Sequence, residues 1–298
     1  MKDHQLKALV QVSESGSIRA AARLMNLSQS ALTKALRELE EDVGAELLLR
    51  SYKGIEFTPA GRVLLTQARY ALSALSRARN EIHLLQGGVG ACVAVAITPM
   101  VAVVALPQVL ETYQASYPDA ELRLTEGFLT HIIPALVEGQ IDFAIAIADP
   151  NDLPHEISFQ QIAEVNGAVA GRVGHPLISA RSWEDLAQAR WVMNISAGSH
   201  AQNLVEWLVQ AGHGAPAHVV NCNSPMMMTE MMRRTDLLGF APEPLLQDAK
   251  FSLGMKQIAG LPMPPPMALG LLHLRGVPLS TAAKPLASLF VRHLSPAG

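Results

Sequence analysis

The sequence predicts an α/β protein in two parts: a winged helix-turn-helix head that runs into a long helix, then an α/β body of two subdomains. Three observations carry this reading. Residues 17–40 have the spacing of two short helices joined by a tight turn, residues 59–86 hold an unbroken helical stripe, and beyond residue 91 apolar runs of strand length alternate with helical stretches.

The head begins with Leu6, Leu9, Val10 and Val12, one apolar side of a first helix that Glu14-Ser15-Gly16 ends. Ser17 caps a second helix. Its Ala20, Ala21 and Ala22 allow close approach by a neighbour, and Leu24 is the apolar residue at its end. Met25-Asn26-Leu27 breaks the pattern. Ser28 then caps a third helix, in which Ala31, Leu32, Ala35, Leu36 and Leu39 fall at the spacing of one buried face. Gln29, Ser30, Thr33, Lys34 and Arg37 remain outward, with no carboxylate until Glu38. Amide, hydroxyls and cations suit a helix laid in the DNA major groove: with Ser28 at the DNA-facing end, the first-turn amides and Gln29 can face base edges or phosphates, and Lys34 and Arg37 neutralise backbone charge. A solvated helical hairpin of some other all-helical domain would share the pattern. Two short apolar runs, 46–49 and 55–58, flank Arg50-Ser51-Tyr52-Lys53-Gly54 as a β-hairpin does; beside a helix-turn-helix this is a wing, with Arg50 and Lys53 placed to touch phosphate or enter a minor groove.

Thr58-Pro59 is a strong helix start, and nothing breaks the helix before Gln86. Val63, Leu64, Ala68, Ala71, Leu72, Leu75, Ala78, Ile82 and Leu85 form a stripe of near-heptad spacing on a rod of roughly 40 Å. The head is too small to cover that stripe, so the same helix of a second copy is the expected partner, with packing on its own chain as the alternative. Gly87-Gly88-Val89-Gly90 is a hinge; it lacks GxGxxG spacing and no strand precedes it.

The body opens as βαβαβ: strand Cys92–Ile97, helix 101–116, strand Glu121–Glu126, helix 129–138, strand Phe143–Ala148. A second series places strands at 168–172, 191–194, 219–221 and 238–241, with helices at 183–186, 200–211 and 226–233 between them. The closing strand 269–274 and helix 280–294 have no room in that second unit, so the chain is expected to return to the first subdomain. The domain map is therefore 1–58 for the head, 59–86 for the linking and dimerising helix, and 87–298 for the body. Within the body, the first subdomain takes about 91–161 and 267–298, and the second about 162–266.

Charge agrees with this division. Of the 298 residues, the first 86 hold 12 Lys and Arg against 9 Asp and Glu, and the rest hold 11 against 17, so a formal charge of -3 hides a mildly basic head on an acidic body. So weak a positive charge requires placed contacts and more than one head per particle. Cys92 and Cys222 form no motif, which suits a reducing cytoplasm, and the start MKDHQLKALV is not a secretory signal. The apolar stretch 91–110 is interrupted by Thr98-Pro99 and Pro107, so no membrane span is expected. The ten histidines lack metal-ligand spacing, His213 and His218 being the nearest pair, and Ser196-Ala197-Gly198-Ser199-His200 is not a GxSxG elbow. No metal, cofactor or catalysis is expected. Two competing functions remain: an architectural DNA-binding protein without ligand, and an α/β enzyme.

Residues 18–40, above all SQSALTKALRELE, resemble the signature of LysR-type transcriptional regulators, and Leu48-Leu49-Arg50 with Phe57-Thr58-Pro59-Ala60-Gly61 resemble its wing and helix start. In the body, Leu124-Thr125-Glu126-Gly127, the run LVEGQIDFAI at 136–145, His175-Pro176-Leu177, Asp185-Leu186-Ala187 and Leu238-Gly239-Phe240-Ala241-Pro242 follow the family order, so the resemblance spans essentially the whole chain. Ser30 stands where the family usually has proline, and Lys53 where many members carry arginine. The resemblance implies a periplasmic-binding-protein-like body that binds a small metabolite, and a cytoplasmic homotetramer, a dimer of dimers through the long helix, on double-stranded promoter DNA. It further implies that Gln29, Ser30, Thr33 and Lys34 read bases and that Arg50 and Lys53 are wing contacts.

In open α/β sheets, ligands settle past the carboxyl ends of strands, where helix N-termini converge. Thr98-Pro99-Met100 follows one strand, and Ser196, Gly198, Ser199 and His200 follow another; each group offers amides, a hydroxyl and a positive dipole end. Phe128 and Ile147, at two further strand ends, add apolar surface. The Met226-Met227-Met228 run is either an adaptable pocket wall or core filling. Neither loop carries a lysine or arginine, so the expected effector is a small organic anion, aromatic carboxylates and sulfonates included, held by dipoles and hydroxyls.

Overall fold

The structure is a computed structural model that describes residues 1–51, 54–86 and 90–296; Lys53, one of the two wing cations, lies outside the described residues. Two compact units result, Met1–Val89 with Val137–Gln140, and Gly90–Leu136 with Ile141–Gly298.

In the first unit, α1 (Asp3–Ser15), α2 (Ile18–Leu24) and α3 (Gln29–Val43) precede strands β1 (Leu48–Ser51) and β2 (Gly54–Phe57), which pair antiparallel, and then α4 (Pro59–Leu85). Caps set the boundaries. Ser17 Oγ accepts the N–H of Ala20, Ser28 Oγ accepts that of Ala31, and Thr58 Oγ1 accepts that of Gly61. Asn26 takes a left-handed φ of 54° in the turn between α2 and α3, a conformation its short amide side chain tolerates. Leu9, Leu32, Leu36, Leu39 and Leu47 form the core with Ala8, Ala21, Ala22 and Ala68. Ala31 is exposed and Ala35 half-buried, so the buried stripe of α3 is narrower than the spacing suggests. Leu24 is also exposed, and Met25 packs against the core in its place.

One close approach ties the wing to α4. The Thr58 N–H donates to the Leu47 carbonyl at 3.0 Å, which lays the first turn of α4 against Leu47. A Cβ on Gly61 would overlap that carbonyl oxygen and sit 2.9 Å from its carbon, so the third residue of α4 has no space for a side chain. On the other side, Glu40 of α3 accepts the N–H groups of Leu47 and Leu48 at 2.8 and 3.2 Å.

The second unit holds two five-stranded sheets. The first comprises β3 (Cys92–Ile97), β4 (Glu121–Glu126), β5 (Phe143–Ala148), β6 (Ile157–Val165) and β12 (Met267–Leu274), in the order β4-β3-β5-β12-β6. β3, β4 and β5 run parallel, and β12 lies antiparallel between β5 and β6. Every residue of β5 is buried, as the unbroken apolar run FAIAIA requires of a central strand covered on both faces. Helices α5 (Pro99–Val104), α6 (Leu106–Ser116), α7 (Leu129–Val137) and α11 (Ala283–Leu294) accompany this sheet. Tyr113 of α6 donates its hydroxyl to the Ala282 carbonyl at 3.0 Å, and burial pushes that hydroxyl up to about 12.

The second sheet comprises β7 (Gly167–Arg172), β8 (Arg190–Met193), β9 (His218–Asn221), β10 (Leu237–Pro242) and β11 (Met255–Gln257), ordered β11-β7-β10-β8-β9, with α8 (His200–Gln210), α9 (Pro225–Arg234) and α10 (Glu243–Gln247). Trp183, Trp191 and Trp207 gather in its core, and the Trp183 indole donates to the Pro262 carbonyl at 2.7 Å.

Three readings of the body need correction. The helix expected over 101–116 is two helices broken at Ala105, because Pro107 cannot extend a preceding helix. Residues 183–186 form turns, not a helix; Trp183 and Leu186 bury their side chains while Glu184 and Asp185 are exposed, and the Trp183 carbonyl accepts the Leu186 N–H at 3.1 Å. β6 is a nine-residue strand, and it carries the first sheet to Val165, beyond the boundary near residue 161. Among the described residues no helix is long and apolar enough to cross a membrane.

Candidate functional site

The head presents α3. Ser28, Gln29, Ser30, Lys34 and Arg37 are exposed on it, and Thr33 is half-buried. Ser28 and Ser30 place their hydroxyls 3.0 Å apart, so Ser30 extends the cap instead of supplying an apolar first turn. The Lys34 ammonium reaches Glu38 only at 3.9 Å and is largely exposed, which leaves its charge available. Thr33 and Arg37 line a shallow depression with Leu48 and Ile55 of the wing. Arg50 has its backbone in β1, and its side chain lies outside the described residues.

In the body, the segments after β3, β4 and β8, Ile147 of β5, α9, and β10 with the α10 that follows it close around one cavity of about 110 Å³. Thr98, Pro99, Met100, Phe128, Ile147, Gly198, Ser199 and His200 all line it, so all but one of the residues picked out at the strand ends come together. Ser196 does not: its N–H turns back to Asn194 Oδ1 at 3.1 Å, and its carbonyl accepts from Ser199. Ser199 is on the wall, but its hydroxyl is spent. It donates to the Asn194 carbonyl at 2.7 Å and accepts the Gln202 N–H. The α5 dipole also counts for little, since that helix has only six residues.

The polar equipment of the cavity therefore differs from the expectation. Thr98 caps nothing, and its buried Oγ1 has no partner in the protein. Asn194 is 5 % exposed; because its oxygen holds Ser196, its amide nitrogen is left facing away from that bond, and it too lacks a partner. The third orphan is His200 Nδ1, in a ring tilted 55° against Phe240 with the ring centroids 4.8 Å apart. Burial alone lowers the His200 pKa to about 4, so the ring is neutral at pH 7. The rest of the wall is mostly apolar, including Met228, Met232, Phe240, Leu245 and Phe251, and the Thr229 hydroxyl is committed to the Pro225 carbonyl. Asn194 and these apolar residues escaped the sequence reading, because β10, α9 and α10 meet β3 only through the tertiary fold; the Met run was the one hint. Among the described residues, no group of three or more His, Cys, Asp or Glu is placed to hold a metal ion.

A second cavity, of about 800 Å³, shares Leu129, Gly198 and Ser199 with the first and is lined by Asp149, Asp152, Glu164 and Glu206.

Comparison with known proteins covers both units. Residues 4–62 match the family described as "Bacterial regulatory helix-turn-helix protein, lysR family", and residues 86–295 match "LysR substrate binding domain". The chain is 27% identical over 284 residues to the HTH-type transcriptional regulator GalR of Pseudomonas putida, covering 94% of this chain and 70% of that one. Full-length CbnR, solved in complex with its target DNA, superposes with a TM-score of 0.67 at 21% identity over 99% of both chains. ArgP from Mycobacterium tuberculosis gives 0.70 at 18% identity, over 98% of this chain and 97% of that one.

Proposed function

The chain belongs to the LysR family of DNA-binding transcriptional regulators, and we propose that its body takes a small organic anion as effector in the cavity beneath Thr98, Asn194 and His200. One observation carries this reading: three residues that line the same cavity each hold a buried polar atom with no partner in the protein. A buried polar group left unpaired costs about 1–3 kcal/mol. A cavity that stayed empty would be favoured to be apolar throughout. Asn194 Nδ2 can only donate and the Thr98 hydroxyl can donate, which suits the acceptor-rich head of a carboxylate or sulfonate. An architectural protein without ligand would gain nothing from these orphans.

A thermal-shift screen of small organic anions checks the reading. At a hundredfold excess over Kd a true effector is expected to stabilise the chain by about 2.7 kcal/mol. Thr98→Val and Asn194→Leu are expected to erase that shift while leaving DNA binding intact. A full shift in both variants would place the ligand elsewhere.

The head reads DNA through Gln29, Ser30, Thr33 and Lys34, with Ser28, Arg37 and the wing cations Arg50 and Lys53 on phosphates. We propose that 59–86 pairs two chains, the route to a tetramer: Val63, Leu75, Ile82 and Leu85 of α4 are exposed large apolar residues. Leu75 and Ile82 stand one heptad apart. Replacing both with aspartate is expected to halve the particle mass by light scattering; an unchanged mass would assign assembly to another face.

A further inference from the structure

We infer that the cavity takes up its anion together with one proton, carried by His200, so that this residue selects monoanions and couples effector affinity to pH. The inference rests on the effector reading above and deepens it. Its basis is the composition of the wall. Among the described residues lining the cavity, His200 is the one that can carry charge. The described lining residues from α5, α9, α10 and β10, Met100, Thr229, Leu245 and Phe240 among them, are all neutral, and Phe240 lies against the His200 ring. An anion entering such a place leaves water and finds two neutral donors, Thr98 and Asn194, and an imidazole whose buried Nδ1 has no partner. Protonation converts that imidazole into a cation with donors at both nitrogens. It supplies the one charge the site otherwise lacks, at the place where an uncompensated charge is most costly.

A second negative charge on the ligand would find no further cation among the described residues that line the cavity, so a dianion is rejected and a monoanion kept. Size narrows the class further. A cavity of about 150 Å³ accepts benzene. The present one, about 110 Å³, is smaller and suits a short-chain acid; a single-ring acid enters only where the methionine walls yield.

The sign of the pH effect follows from linkage. In the free cavity, burial holds His200 near 4. A bound anion raises it, so between the two values the complex holds one more proton than the free protein. Affinity then climbs as pH falls, approaching about tenfold per pH unit below the midpoint of the complex.

The test is isothermal titration calorimetry of the full chain with propane-1-sulfonate, benzenesulfonate and benzoate, from about pH 7.5 to about pH 5, in buffers of different ionisation enthalpy. Sulfonates stay ionised throughout, so any pH dependence of their binding belongs to the protein. The expected result is uptake of up to one proton per anion bound, affinity rising toward low pH, and loss of both in His200→Gln, whose amide still donates a hydrogen bond. Binding that is independent of pH, without proton uptake, overturns this inference and leaves the anion site standing. Absence of binding by any of the three probes at the lowest pH overturns the anion reading itself, and this inference with it. The proton count uses the unaltered protein, so it decides the matter even if His200→Gln fails to fold.

Discussion

Affinity for the cognate promoter site is expected to fall about ten- to a hundredfold per head when Gln29 is replaced by alanine, while affinity for random duplex stays unchanged. Gln29 is the first residue of α3 and is exposed beside the Ser28 cap. Its amide offers a donor and an acceptor together, the pair that recognises adenine in the major groove. Lys34 should behave differently. It sits one turn further on, with its ammonium loosely associated with Glu38. Lys34→Ala is expected to weaken specific and random DNA alike and to reduce the slope of log affinity against log salt by about one per head. With two heads paired through α4, as proposed above, both effects would multiply in the assembled particle. Fluorescence anisotropy on the two duplexes across a salt series separates them. A uniform loss for Gln29→Ala would remove it from the base-reading set and make it a phosphate contact.

Gly61→Ala is expected to destabilise the head by on the order of 3 kcal/mol, the upper range for forcing atoms into a filled space. The obstacle is the Leu47 carbonyl, part of the backbone, so no rotamer change relieves it. The same oxygen accepts the Thr58 N–H, and Glu40 holds the Leu47 N–H, so the wing cannot retreat without breaking hydrogen bonds on both sides. Differential scanning calorimetry of the full chain reads the result, with the transition of the body as internal reference. A head transition unmoved by the substitution would show that α4 shifts along its axis at little cost.

Where local chemistry decides, the sequence was legible. Ser17, Ser28 and Thr58 start their helices because each accepts the N–H three residues on, and the βαβαβ opening of the body follows from apolar runs of two lengths. Where tertiary packing decides, it was not. Strand β6, ISFQQIAEV, is half-exposed along most of its length and shows no clean alternation. Trp183 has helical spacing to Leu186, yet its indole is committed to the Pro262 carbonyl. The cavity divides in the same way. Thr98 and His200 were visible as residues just past strands, whereas Asn194 looked like the end of a strand, and only its bond to Ser196 shows which of its amide atoms is free.

β12 fills the gap between β5 and β6, so residues 267–274 complete a sheet that opens at Cys92. While residues 267–274 are still inside the ribosome, β5 has an open edge and β6 has no neighbour. The nascent chain can fold its head early, yet this sheet of the sensing body stays incomplete until β12 has emerged. A message cut short before this strand would give a head without a working sensor, and such fragments would compete with the intact regulator for the same operators.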